Sequence, residues 1–302
     1  MKTGLRTEIS HSRIPTTRGI AGILFLSTTM LGACASGSQK PAASAPDAAR
    51  ASTRDQTIQA PATPRPSIVD PGPDFGFIPN GAQTVQPGQF YIETAFESAQ
   101  AEAHTVRDNL IPTLLRVGVA QGLELRAQMN IFSQTRDATG VTTGHGPMLL
   151  GFKLRFNRGD AGFLSPSVGI EAGLVLPVAS AGMDSGKVEP LLTFNADHFM
   201  SEATVLTWSA GVFGPVDETG DQFAQGYFAA ALTHQVAARL QLFATGEFRA
   251  PASEADGDEI GRLGGGAYWR PTDRLVFFGG YIWGLTTPSP DTTLTLGLAF
   301  TF

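Results

Sequence analysis

The sequence predicts an all-β protein, a closed antiparallel transmembrane β-barrel of about 12 strands, and three observations carry that prediction. The last stretch, Asp291 to Phe302, alternates: Leu294, Leu296, Leu298, Phe300 and Phe302 share one side, and Thr293, Thr295, Gly297, Ala299 and Thr301 the other. A period of two means a strand with one apolar face. Charged residues make up 16% of the chain, against about 25% in an average soluble domain. Strand-like segments are joined alternately by short turns and by mostly longer, more polar loops, the pattern of outer-membrane barrels.

From the N-terminus, Lys2, Arg6, Arg13 and Arg18 precede an apolar run from Gly19 to Leu31, which reads as a secretory signal over residues 1–34. Leu31-Gly-Ala-Cys34 resembles a lipoprotein lipobox, in which Cys34 would be diacylated. Ala33-Cys34-Ala35 also fits ordinary cleavage before Ser36, and the sequence leaves both open. Cys34 is the one cysteine, so intrachain disulfides are excluded. Residues 35–84 are rich in Ala, Pro and Ser, show no apolar period, and are expected to be a disordered periplasmic linker.

The barrel is expected over 85–302, with strands at 88–97, 111–120, 122–133, 146–157, 164–176, 188–198, 203–213, 222–234, 237–249, 260–270, 273–284 and 291–302. The connections after every second strand are short, such as Gln121, Gln235-Val236 and Pro271-Thr272. The others run longer, as in Ser98 to Leu110, Gln134 to His145, Pro177 to Lys187 and Ala250 to Glu259. With a periplasmic N-terminus the long loops fall outside the cell. The last strand then closes on 88–97, and Phe300 and Phe302 resemble the C-terminal signal read by the outer-membrane assembly machinery. Trp208, Trp269, Trp283, Tyr281 and Phe302 are candidates for the interfacial aromatic belts.

Face by face, charges fall on the side opposite the large apolar residues. Leu123, Leu125, Ala127, Met129 and Ile131 point to lipid and Glu124 and Arg126 to the lumen. Lumen candidates are Glu93, Arg116, Glu124, Arg126, Lys153, Arg155, Glu171, Asp197, Glu247, Arg249, Arg262 and Arg270. Arg116, Glu124, Arg126, Lys153 and Arg155 come from three consecutive strands near the periplasmic end and are expected to cluster. The cluster is either a constriction that selects a solute or a structural knot of paired charges filling a narrow barrel. Leu275 to Trp283 is apolar on both faces, which leaves its register open.

The stretch from about Leu110 to the end resembles the outer-membrane barrel family named after the meta pathway of phenol degradation, whose members are often labelled simply transporters. The landmarks are Gly122-Leu-Glu-Leu-Arg126, Gly146, Gly151-Phe-Lys-Leu-Arg-Phe156, Gly173-Leu-Val-Leu-Pro177, Gly246-Glu247 and the glycine-rich final hairpins. The family's Gly-Asp at the fourth strand is Gly146-Pro147 here, and its Pro-Thr-Gly after the fifth is Pro177-Val-Ala. The resemblance implies a passive channel for small molecules, aromatic or hydrophobic ones among them, in the Gram-negative outer membrane. The alternative is a non-transporting structural or surface barrel.

No cofactor or metal is implied: His11, His104, His145, His198 and His234 show no ligand spacing. Partners are outer-membrane lipids, the assembly machinery and a small solute; a net charge of −6 gives no reason for nucleic acid. A lipid-facing hydrolase would need a serine and a histidine on the outside. Ser133 is expected to point outward but His145 inward, so no enzyme is predicted.

Overall fold

The structure, a computed structural model, describes residues 72–75, 79–101, 105–160, 162–217, 220–251 and 259–302. The signal segment, Cys34, His104 and the linker before residue 72 lie outside the described residues. The regular elements are strands: β1 (Phe90–Ala101), β2 (Val106–Ala120), β3 (Leu123–Asp137), β4 (Gly140–Gly144), β5 (Met148–Arg155), β6 (Gly162–Leu176), β7 (Glu189–Phe199), β8 (Thr204–Phe213), β9 (Gln225–Ala237), β10 (Leu240–Arg249), β11 (Ile260–Thr272), β12 (Leu275–Gly284) and β13 (Thr292–Thr301).

Consecutive strands pair antiparallel except β4 and β5, and β1 pairs with both β2 and β13, so the sheet closes on itself. Closure runs from Tyr91 opposite Thr301 to Gln100 opposite Thr292. At its end the amides of Phe90 and Phe302 donate to each other's carbonyls, both at 3.1 Å, and their rings stack at 5.8 Å. The result is a closed 12-strand barrel with one extra strand, β4. A closed sheet leaves no unpaired backbone edge, as the hydrocarbon interior requires.

β4 and β5 both pair with β3, β4 at its outer end and β5 below. β5 was expected from 146 and begins after Pro147, which lacks an amide hydrogen and stands at the break; β4 falls in the expected loop 134–145. The expected loops 98–110 and 134–145 are mostly strand as well. β2 and β3 have 15 residues each, whereas about 9–11 suffice to cross a membrane. Their outer ends stand clear of lipid, need no apolar face, and so carry polar residues that read as loop.

The faces sort as expected. Leu125, Leu150, Phe152, Leu242, Phe248, Leu296 and Phe302 are exposed on the outside, while Glu93, Glu124, Lys153 and Thr295 are wholly buried inside. A charge among the outer set would cost about 2–4 kcal/mol at mid-membrane. Trp269 stacks on Phe277 near the end that carries the short turns, and Trp283 meets Tyr281 edge-on near the other, both on the outer face. Trp208 donates to His198 Nε2 at 3.0 Å, and His198 Nδ1 lies 2.7 Å from the Phe163 carbonyl. Those contacts leave this outer-face imidazole satisfied without a ligand.

Ser133 corrects an expectation. It is buried rather than lipid-facing, because register shifts between β2 and β3 at Ile111 and Pro112. Residues 111 and 112 oppose 132 and 130, so Ile131 is the extra residue of a bulge, and every side chain beyond it changes side. The register of β12 is fixed too: Val276, Phe278 and Ile282 are buried inside, and Phe277, Tyr281 and Trp283 are exposed outside.

Candidate functional site

On β1, β2, β3, β5 and β6, alternation sends Glu93, Arg116, Glu124, Arg126, Lys153 and Glu171 into one region of the lumen. Arg116 Nε meets Glu124 at 2.9 Å and its Nη1 meets Glu93 at 3.2 Å. Arg126 reaches Glu124 at 3.0 Å and Glu171 at 3.2 Å. Lys153 lies 4.0 Å from Glu171. The wall thus brings three cations and three carboxylates together, and their burial is tolerable only because each has partners. The expected cluster forms, except that Arg155 turns away and donates to Gln83 at 2.6 Å.

What fills the space between these side chains is the chain itself. The linker expected over 35–84 does not stay outside: residues 72–75 and 79–86 lie in the lumen and bond to its wall. Asp74 Oδ2 sits 2.5 Å from Arg126, 2.8 Å from Lys153 and 3.5 Å from Arg116. Burial works against its charge, yet Arg116, Lys153 and Arg126 hold its carboxyl well below the ordinary carboxylate range. The wall carboxylates in turn accept backbone amides. Glu93 takes those of Asp74 at 2.6 Å and Phe75 at 3.1 Å, Asp197 takes Ala82 at 2.8 Å, and Glu124 takes Val85 at 2.8 Å. Asn80 donates to Glu171 at 2.9 Å, and Arg116 donates to the carbonyls of Gly72 and Gln83. Gly118 on β2 lets the segment pass: a Cβ there would stand 2.0 Å from the Gln86 carbonyl oxygen.

The physical reason for this departure is charge. A proline- and alanine-rich segment cannot build a core of its own, but its amides can satisfy carboxylates already buried in the wall. Sequence reasoning missed Asp74, Phe75, Asn80 and the amides of 82 and 85. One signal was present: from Asp70 to Asn80 the composition leaves Ala, Ser and Thr for Asp, Phe, Gly and Ile.

Across the lumen, β1 and β10 to β12 add a block of aromatic and aliphatic side chains. Tyr91, Phe243, Tyr268, Val276, Phe278 and Ile282 form one buried cluster, and Phe75 of the inner segment belongs to it. Phe243 and Tyr268 lie 5.0 Å apart and Tyr268 and Phe278 6.3 Å apart. Glycines seat the rings. A Cβ at Gly266 would lie 2.6 Å from the Phe243 ring, and one at Gly297 would lie 2.3 Å from that of Phe278. Hence β12 is apolar on both faces.

The remaining predicted residues form a second group nearer the outer end. Glu247 pairs with Arg249 and, at 2.7 Å, with its cross-strand partner Arg262. The Arg249 guanidinium lies over Phe213 and Tyr227, 5.8 and 5.7 Å from the ring centres. With Asp74, Asn80, Thr245 and Tyr227 these groups line a cavity of about 160 Å³. Arg270 stands apart, lining a cavity of about 180 Å³ with Val85, Tyr91 and Arg274. Asp197 accepts from Thr207 at 2.8 Å besides Ala82. Among the described residues no group of three or more His, Cys, Asp and Glu is placed to hold a metal ion.

The family model described as "Putative MetA-pathway of phenol degradation" matches residues 76–302. The chain belongs to that family. The match begins well before the Leu110 at which the sequence resemblance was placed, and it takes in the lumenal residues 79–86 as well as the barrel. Among solved structures, the chain is similar to the COG4313 outer membrane channel from Pseudomonas putida F1, with TM-score 0.59 and 13% identity, covering 75% of this chain and 100% of that one. It is more distantly similar to the KdgM porin, with TM-score 0.47 and 9% identity, covering 70% and 99%. The first likeness shows the fold, that of an outer-membrane channel. No curated protein sequence matches the chain.

Proposed function

We propose that this member of the phenol-degradation family is a passive outer-membrane channel for small solutes, closed at rest by its own residues 72–86. One observation carries the reading. The wall's carboxylates do not spend all their acceptor capacity on the wall's cations; Glu93, Glu124 and Asp197 accept backbone amides of the inner segment. Such a closure is non-covalent and polar, so it can leave the lumen without unpairing any strand. The family's description and the ring-lined half of the lumen favour small aromatic solutes. The reading is non-enzymatic: Ser133 is buried rather than lipid-facing, which argues against a lipid-facing hydrolase.

The inner segment meets the wall near its periplasmic end, at Glu93, Arg116 and Glu124. That placement favours a periplasmic position for residues before 72, and the lipobox-like Leu31-Gly-Ala-Cys34 favours a lipidated Cys34 as an added anchor. Palmitate labelling that persists after Cys34→Ser would rule the anchor out. A second reading, a structural barrel that conducts nothing, draws support from the wall pairs Arg116–Glu124 and Arg126–Glu171, which stand without the plug. Liposome swelling separates the two. The channel reading expects swelling in small aromatic solutes that increases when residues 72–86 are deleted; no swelling by either form supports the structural barrel.

A further inference from the structure

Asp74 and Phe75 are adjacent in the chain and deliver two different groups to two different parts of the lumen. The Asp74 carboxylate lies at the focus of three cations, Arg116, Arg126 and Lys153, at 2.5 to 3.5 Å. The neighbouring Phe75 ring, 6% exposed, is buried in the cluster of Tyr91, Phe243, Tyr268 and Phe278. Glu93 accepts both backbone amides and fixes the pair in this pose. A carboxylate beside a benzene ring, one held by cations and the other among aromatic rings, is the recognition chemistry of an aryl-substituted carboxylic acid.

We propose that Asp74–Phe75 is a resident stand-in for such a solute, and that an aryl carboxylate binds this seat in competition with the pair. The proposal rests on the channel reading and names its solute class. Two further features fit. The hydroxyls of Tyr91 and Tyr268, both buried beside the ring seat, make no hydrogen bond, leaving polar capacity the phenyl ring of Phe75 cannot use. Asp74 also lines the cavity of about 160 Å³ that carries Arg249 and Arg262, so the seat borders open space with two further cations.

The test is a binding measurement on the full folded chain in detergent, with phenylacetate as probe and acetate, phenol and benzylamine as comparisons. In the double variant Asp74→Asn/Phe75→Ala the seat is vacated while every barrel strand is untouched. Removing an internal competitor raises apparent affinity by the occupancy it held, so phenylacetate should bind the double variant at least about tenfold more tightly than the wild type. Acetate, phenol and benzylamine, each lacking one half of the chemistry, should gain far less. Adding Lys153→Met should abolish the gain. Equal binding of phenylacetate by wild type and double variant overturns the proposal, as does an equal gain for phenol or acetate. Binding is read without flux. A barrel that binds phenylacetate in liposomes yet passes nothing sinks the channel reading and leaves the seat standing.

Discussion

The two sides of the lumen solve the same problem in opposite ways. On β1 to β6 the interior is charged, and Glu93, Arg116, Glu124, Arg126, Lys153 and Glu171 are each held by another charge or by groups of residues 72–75 and 79–86. On β10 to β12 a block of rings, Phe243, Tyr268 and Phe278, is seated against Gly266 and Gly297, with the Glu247–Arg249–Arg262 group kept to the outer end. The charged side binds through direction and can exchange one partner for another; the aromatic side binds through shape and can exchange only by leaving a hole. A displaceable plug therefore has its polar anchors on the first side and offers a single ring, Phe75, to the second.

That contrast can be broken at its strongest point by Arg116→Met, which leaves Glu93 and Glu124 buried without their main partner. Stranding buried charges costs about 3–5 kcal/mol, so the urea midpoint of the folded barrel in detergent should fall sharply. An unchanged midpoint would mean that the charged side is wetter than its burial indicates. Next in size is Gly297→Leu on the aromatic side, where overpacking against Phe278 should cost about 1–3 kcal/mol. Combining it with Phe278→Ala should recover part of that loss, a coupling that two independent sites would not show.

A smaller effect is expected from acid. Asp74 has a carboxyl pKa depressed below its ordinary 3.8, so its hold on Arg116, Arg126 and Lys153 is fully present above that value. The hold starts to weaken as the pH drops below it and is lost completely only in strong acid. Glu93 and Glu171 face the same cations, so Asp74→Asn is the control. Conductance should rise in the wild type from pH 7 to pH 3, and Asp74→Asn should begin higher and rise less. Phe302→Ser should matter least to the finished barrel, removing a stacked pair with Phe90 worth about 0.5–1.5 kcal/mol, seen as a small shift in the same urea curve.

How much of this could be read from residues alone follows the same divide. The barrel strands announce themselves, because lipid demands apolar residues at every second position, and β13 shows it cleanly from Leu294 to Phe302. The charged wall was equally legible: Arg116, Glu124, Arg126 and Lys153 stand out against their apolar neighbours, and their clustering follows from strand adjacency. Outside the lipid that demand disappears, so the polar outer ends of β2 and β3 passed for loops. Ser133 was misplaced because a bulge at Ile131 has no signature in a single chain. Asp74 was hidden for a deeper reason. Its partners lie 42, 52 and 79 residues away along the chain at Arg116, Arg126 and Lys153, and a proline-rich segment carries no periodicity to say that it turns back inside.

The central claim, that residues 72–86 close a solute path, is tested most directly by single-channel recording in planar bilayers. The full chain should show a low and intermittently open conductance, and the form lacking 72–86 should show a steady one about tenfold larger or more, since the lumen's polar lining would then face water. Equal conductance of the two forms, whether both open or both silent, would contradict it.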